Sequence, residues 1–268
     1  MKTPIRQYIR YLLVKLGLFD KGAFLLSIDA IYPDDLFLVS YPKSGNTWLR
    51  FLIANMINNK NNITFNNIDE YVHGLYSARD KINQKKKNRI IKSHHPYFNH
   101  YPKTVYICRD LRDTLVSYYH YQVALKEFSG TLSDFIHSPK HTDHPYGSWS
   151  NHIITAFEKK KEDPESILII RYEDLHTDPS SLITELSHFC GIPLSLPISE
   201  IINRCSFDSL KKNENTFGSD FKKQSGHNFF REGKSASWKE HFSSEDLKWL
   251  IDQPGNAAAL SLAGYPLK

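Results

Sequence analysis

Asp35-Leu-Phe-Leu-Val-Ser-Tyr-Pro-Lys-Ser-Gly-Asn-Thr-Trp48-Leu-Arg-Phe-Leu-Ile-Ala-Asn-Met56 is the stretch around which this chain is organised. Leu36 to Val39 is a short apolar run of a length suited to a buried strand. Tyr41 to Thr47 gathers the turn formers Pro42, Ser44, Gly45 and Asn46. From Trp48 to Met56 the spacing of Trp48, Leu49, Leu52, Ile53 and Met56 predicts a helix. Strand, small-residue turn and helix start together make an anion cradle. Backbone N–H groups at the helix start point into the turn, and the helix dipole favours negative charge there. Lys43 adds a mobile cation, and Ser44 and Thr47 add hydroxyl donors. The expected guest is a phosphate or sulfate group.

This order differs from the Walker pattern G-x-x-x-x-G-K-[ST], whose Lys follows its second Gly. Here Lys43 precedes Gly45. An ordinary strand-to-helix turn carries the same local signs, so the turn alone leaves both readings open. At 268 residues the chain fits one large domain with a sizeable core. With 40% hydrophobic and 24% charged residues it has the composition of a soluble globular protein. A net charge of +5 suits an anionic small molecule but is too small to demand a nucleic-acid partner, and none is expected. Cys108, Cys190 and Cys205 are sparse and odd in number, which argues against a disulfide framework or a zinc ribbon. Reduced thiols in the core of a cytoplasmic protein are expected. No signal-peptide pattern is present, and no apolar run approaches the ~20 residues needed to span a bilayer. Ile5 to Phe19 reads as a basic amphipathic helix, with Ile5, Tyr8, Ile9, Leu12, Leu13 and Leu16 on one face. Packing on its own domain is expected, with docking on a membrane surface as the alternative.

Four β-type runs recur, Leu36 to Ser40, Arg89 to Ser93, Thr104 to Cys108 and Ile167 to Arg171, with helical patterns between most of them. The alternation predicts an α/β fold with a parallel sheet covered on both faces. Ligands of such sheets sit beyond the carboxyl ends of the strands. All four runs end in polar residues, so the ends are expected to converge on one cleft. Lys85, Lys86, Lys87 and Arg89 read as a solvated charge run. Asn58 to Asn67 reads as a loop, Phe128 to Ser150 as a border of the cleft, and Asn213 to Phe230 as a long polar lid. Ser243 to Leu250 and Asn256 to Leu262 read as closing helices. No repeat or linker interrupts the chain. Residues 1–268 are expected to form one domain, with 1–34 a helical extension and 36–242 the core.

The words Y-P-K-S-G-N-T-W resemble the 5′-phosphosulfate loop of the sulfotransferases that use 3′-phosphoadenosine 5′-phosphosulfate (PAPS), and later segments repeat the resemblance in order. Lys92-Ser-His94-His-Pro96 resembles the family's K-T-H-x-P, which implies His94 as catalytic base beside Lys92. His95 falls at a variable position. Taken alone, any one of thirteen histidines is by default structural. Arg109-Asp-Leu-Arg-Asp-Thr-Leu-Val-Ser117-Tyr-Tyr resembles R-N-x-x-D-x-x-x-S-x-Y, which implies Arg109 and Ser117 at the 3′-phosphate of the nucleotide. Asp110 stands where Asn is usual, and Asp110 or Asp113 is placed to cap the following helix. An Asp so near a phosphate is unfavourable unless it points away. Tyr172-Glu-Asp-Leu resembles Y-E-D-L/M, whose Tyr lies by the adenine. Ser206-Phe207-Asp-Ser-Leu-Lys-Lys-Asn213 resembles S-F-x-x-M-K-x-N, and the family then implies an adenine between Trp48 and Phe207. Core packing is the plain alternative for each aromatic. Arg231-Glu-Gly233-Lys-Ser-Ala-Ser-Trp238 resembles R-K-G-x-x-G-D-W, implying Arg231 and Gly233 at the 3′-phosphate. Glu232 for Lys, and Ala236-Ser237 for Gly-Asp, are departures that bear on affinity.

The resemblance therefore implies a P-loop-like nucleotide-binding core. It also implies transfer of a sulfuryl group from PAPS to a hydroxyl or amine of a small-molecule or carbohydrate acceptor. The donor-site residues are Lys43, Ser44, Gly45, Asn46, Thr47, Trp48, Arg109, Ser117, Tyr172, Phe207, Arg231 and Gly233. His94, at an ordinary pKa near ~6.5, serves as base, and Lys43 and Lys92 supply the cations, with no metal expected. A P-loop kinase or NTPase, which needs magnesium ligands, shares the cradle. So does a non-catalytic anion or nucleotide binder. A zinc site from His141, Asp143 and His144 is a remote further reading. The acceptor loops, 66–80, 128–150 and 213–230, suit a sugar, a phenol or another small alcohol equally. The oligomeric state is open.

Overall fold

The computed structural model describes residues 4–60, 62–142, 144–231 and 233–267. Its strands are β1 (Leu36–Val39), β2 (His73–Gly74), β3 (Ile90–Ser93), β4 (Lys103–Cys108) and β5 (Ile167–Arg171). They form one sheet in the order β2-β3-β1-β4-β5, and every pairing is parallel. Leu36 faces Ile90 on one side and Lys103 on the other, so β1 is central. The strand order reverses at β1, and such a reversal opens a crevice beyond the carboxyl ends of the strands.

Side-chain alternation along the strands builds two cores. Leu36 and Leu38 join Val105, Ile107, Leu168 and Ile170 on one face, under the helices Asn46–Ile57 and Ile198–Cys205. Phe37 and Val39 join Ile91, Tyr106 and Cys108 on the other, toward the helices Trp149–Glu162 and Asn256–Leu262. Residues such as Leu38 and Ile53 are fully buried, where truncation to Ala costs about 2–5 kcal/mol. Both faces being covered explains why the strands read as continuous apolar runs.

The structure departs from several sequence-based expectations. β2 is a fifth strand of two residues, too short to leave a periodic signal. Arg89 does not belong to the solvated run. Lys85, Lys86 and Lys87 are exposed, but Arg89 is 1% exposed and its Nε donates to Asp35 at 2.7 Å. It also donates to the carbonyls of Ile82 and Ala30, so the buried pair is fully hydrogen-bonded. Breaking such a pair from one side typically costs ~3–5 kcal/mol.

Asn213 to Phe230 is not a loop: most of it lies in the helices Phe207–Phe217 and Asp220–Ser225. Ser206 and Ser219 cap these helices, accepting from the N–H groups of Ser209 and Lys222. Glu214, wholly buried, accepts from Ser219 Oγ and from the backbone of Phe229 and Phe230. Its carboxylate organises the segment from within, which polarity alone did not reveal.

The N-terminal helix forms over Pro4–Lys15, and Arg10 ties it to Asp29. Its packing on the domain is partial: Tyr11 meets Phe24 at 6.3 Å and Leu13 is half-buried, whereas Ile9, Leu12 and Leu16 are 50%, 41% and 70% exposed. Cys108 and Cys205 are buried and Cys190 is half-buried, all as free thiols.

Candidate active site

The four strand ends named above do converge. They border a cleft of about 380 Å³ that reaches from the first turn to the segment around Gly233. Gly45 leads the helix Asn46–Ile57 from the left-handed region, at φ 99°, with no side chain capping it among the described residues. The first N–H groups of the helix are therefore left for a guest. A Cβ on Gly45 would lie 2.5 Å from the Tyr172 ring, so only glycine serves here. Lys43 also has positive φ, 67°, a strained conformation of a kind found where function demands it. Thr47 and Trp48 line the cleft, as does Asn46, whose Nδ2 donates to Ser40 Oγ at 3.1 Å and to the Leu38 carbonyl. Ser44 is not at the wall; it is buried, and its Oγ has no partner among the described residues.

At one end stand Arg109, Ser117, Tyr172, Phe207, Arg231 and Gly233. The Arg109 guanidinium lies 4.2 Å over the Tyr172 ring, and its Nη2 donates to the Lys234 carbonyl at 3.0 Å. Its Nε is buried without a partner among the described residues, as befits a group awaiting an anion. Asp110 points away: its carboxylate accepts from the backbone N–H, Nε and Nη2 of Arg112, and it caps the helix Leu111–Ala124. That answers the repulsion expected of an Asp beside a phosphate. Gly233 has φ 66°, and a Cβ there would lie 2.1 Å from the Phe207 ring. Trp48 packs edge-on against Tyr172 and His176, at centroid distances of 5.5 and 4.7 Å. Glu232 and Asp143 lie outside the described residues.

At the other end are Lys92 and His94, at and just after the carboxyl end of β3. His94 Nδ1 lies 2.7 Å from the Ser40 carbonyl, which only accepts, so Nδ1 carries the proton. The lone pair is then on Nε2. Burial, then the Lys92 charge, hold its pKa well below that of a free imidazole. The expectation of an unperturbed value near ~6.5 therefore fails, because desolvation disfavours the charged ring. Burial, reinforced by Arg109, lowers Lys43 to about 7. Lys92 is also lowered to about 7, by burial and then Arg50. Lys43 Nζ lies over the rings of Phe229 and Tyr121, at 3.8 and 4.3 Å.

Several residues of the site were not singled out from sequence. From sequence Asp113 offers only a helix cap. It accepts from the N–H groups of Ala236 (2.7 Å) and Trp238 (2.9 Å) and from Ser237 Oγ (3.0 Å). It thereby ties the Gly233 segment to the helix that carries Ser117. Its place in the R-N-x-x-D pattern was the available signal. Ala236, standing at a family Gly, has φ 58°, which explains why Gly is usual there. Tyr76 and Tyr146, from two of the loops expected to hold the acceptor, line the His94 end. His141 Nε2 is 3.0 Å from the Ile136 carbonyl, a contact that places its proton there and leaves no lone pair on that nitrogen for a metal.

Residues 33–252 match the family model described as the sulfotransferase domain. A flavonol 4′-sulfotransferase of Flaveria chlorifolia is 30% identical, over 86% of this chain and 82% of its own length. Sulfotransferase 1E1 of Cavia porcellus is 31% identical, over 79% of this chain and 78% of its own. Among solved structures, mouse sulfotransferase SULT7A1 complexed with PAP superposes with a TM-score of 0.68 at 24% identity, covering 90% of this chain and 92% of that one. Retinol dehydratase in a complex with retinol and PAP gives 0.68 at 19% identity, covering 89% and 84%. These two likenesses concern the fold, whereas the family model and the relatives concern the whole motif-bearing core. The P-loop kinase and non-catalytic alternatives give way to them: the chain belongs to the sulfotransferase family and is a PAPS-dependent sulfotransferase.

Proposed function

We propose that the cleft takes PAPS with its 5′-phosphosulfate on the turn from Lys43 to Trp48 and its 3′-phosphate against Arg109, Ser117, Arg231 and the Gly233 backbone. The adenine lies between Trp48 and Phe207, beside Tyr172. Stacking of this kind contributes on the order of 1–3 kcal/mol per base. The acceptor is a hydroxylated small molecule, the class named for the flavonol-modifying relative; carbohydrates and amines form further arms of an acceptor screen.

His94 Nε2 takes the proton from the acceptor hydroxyl as that oxygen bonds to sulfur. The bond from sulfur to the bridging phosphate oxygen breaks, and the electron pair stays on the leaving adenosine 3′,5′-bisphosphate. Lys43, Lys92 and the N–H groups after Gly45 oppose the charge that grows there. One observation carries this reading. An uncapped, Gly45-led helix start and a histidine whose lone pair is on Nε2 border the same cleft.

The test is thermal unfolding with adenosine 3′,5′-bisphosphate in the presence of a chelator. At a hundred-fold excess over Kd the ligand stabilises by ~2.7 kcal/mol, a shift of roughly 5–10 °C. No shift, or a strict need for magnesium, contradicts the proposal.

We read residues 1–268 as one domain, with 1–34 as a helical extension of the core. Among the described residues no helix is long and apolar enough to cross a membrane. The outward Ile9, Leu12 and Leu16 lie within a region, 1–28, that holds five basic residues and only Asp20 as an acid. That pairing of exposed apolar side chains with positive charge supports peripheral contact with an anionic lipid surface. Co-sedimentation with anionic but not neutral vesicles, lost in Leu12→Glu, tests it; equal binding to both surfaces contradicts it.

A further inference from the structure

The phenols Tyr76, Tyr118, Tyr121 and Tyr146 are among the residues lining the cleft; Tyr146 meets the His94 ring at 5.5 Å, and Tyr76 and Tyr146 join His95 in a hydrogen-bonded chain. The Tyr76 hydroxyl lies 2.6 Å from His95 Nε2, and the Tyr146 hydroxyl donates to the Tyr76 oxygen at 3.1 Å. His95 is 8% exposed, stacks on Tyr97 at 4.9 Å and meets the Tyr146 ring edge-on at 5.0 Å. Its Nδ1 is buried and has no partner among the described residues. Burial, then Lys92, push its pKa down to about 4, so the ring is neutral at physiological pH and carries one N–H. An unpaired buried donor is rarer than an unpaired acceptor, which puts that proton on Nε2. His95 Nε2–H and the Tyr146 hydroxyl then fill both lone pairs of the Tyr76 oxygen. The hydrogen of Tyr76 is left over, on a residue that is 52% exposed and lines the cleft.

We propose that Tyr76, held by His95 and Tyr146, is the specificity-determining donor for the acceptor, selecting molecules that carry a second oxygen beside the one that reacts. The inference rests on the sulfuryl transfer proposed above and adds to it the chemistry of the acceptor. Tyr76 touches the acceptor, while His95 is a positioning residue that acts through Tyr76. Once a bound acceptor covers this half-exposed hydroxyl and shuts out its water, an acceptor with one oxygen leaves the Tyr76 O–H unanswered, and such mismatches are where hydrogen-bonding sites discriminate best.

The experiment measures kcat/KM with PAPS for a naphthol, its dihydroxy isomers and their methoxy counterparts. At least one two-oxygen acceptor is preferred to the naphthol by about five-fold or more. The methoxy counterpart keeps that preference, because Tyr76 donates. Tyr76→Phe collapses the ratio toward one. His95→Ala also collapses it, chiefly through KM, with adenosine 3′,5′-bisphosphate affinity unchanged, and His95→Asn restores part of it through its amide N–H. A ratio unaltered in Tyr76→Phe overturns the role of Tyr76. Equal loss for every acceptor in His95→Ala, through kcat, marks His95 as merely structural and overturns its part. No product from this naphthol series, while another acceptor is sulfated and adenosine 3′,5′-bisphosphate still binds, overturns this inference alone. Loss of that binding in the wild type overturns the proposed function with it.

Discussion

Asp113→Ala should detach the segment around Gly233 from the rest of the donor site. The carboxylate is 2% exposed and answers three donors, two backbone N–H groups and the Ser237 hydroxyl. Trp238 is buried, so its N–H has no water to turn to, and leaving such a group unpaired costs ~1–3 kcal/mol. Ala236 is exposed and loses less, but its left-handed backbone is held in place by the same carboxylate and costs on the order of 1–2 kcal/mol to maintain. Together these suggest a loss of roughly 2–4 kcal/mol, felt partly as stability and partly as disorder of the loop that presents Arg231 and Gly233. If half falls on binding, adenosine 3′,5′-bisphosphate weakens by about 5- to 30-fold. Calorimetric titration is the assay, with adenosine 5′-phosphosulfate as control. The control lacks the 3′-phosphate and should bind Asp113→Ala and wild type alike. Unchanged affinity for the bisphosphate, or equal losses for both ligands, would refute the link between Asp113 and the 3′-phosphate loop.

Arg109→Ala should weaken the bisphosphate through one lost charge-assisted contact, worth about 1.5–3 kcal/mol, while adenosine 5′-phosphosulfate changes little; calorimetry of the pair decides it. Lys43 and Lys92, both lowered to about 7, are mostly neutral at pH 8, and an anion raises both. Binding at pH 8 should therefore take up protons and at pH 6 should not, as read from titrations in buffers of different ionisation enthalpy. Equal uptake at both values contradicts the placement of the lysines. For His94 the depressed pKa keeps the base neutral as pH falls, so the acid limb of kcat/KM should lie below the ~6.5 of free imidazole. A limb at or above that value refutes the desolvated base.

The parts of this account legible in the sequence are those in which local chemistry and position agree. The first turn was readable because Pro42, Gly45 and Asn46 are turn formers and the strand and helix on either side have clear periods. His94 and Arg109 were readable because each directly follows a strand. Three features were hidden because they depend on contacts distant in the chain. Glu214 looks like one more polar residue until Phe229 and Phe230 donate to it. Arg89 looks like part of a basic run until Asp35 meets it across 54 residues. Tyr76 and His95 are ordinary residues of a loop and a strand end until β2 pairs with β3 and brings them within hydrogen-bond reach. The lowered pKa values of His94, Lys43 and Lys92 belong to burial, which residue order does not encode locally.

The most direct measurement of the central claim is product analysis by mass spectrometry for wild type and His94→Ala, with PAPS, an acceptor panel and a chelator present. The account predicts that wild type adds one sulfuryl group to an acceptor and releases an equal amount of adenosine 3′,5′-bisphosphate. His94→Ala should lose on the order of 10²–10⁴ in rate while binding the bisphosphate as tightly as wild type. Wild-type rates in His94→Ala, or no sulfated product from a wild-type protein that binds the bisphosphate, would contradict it.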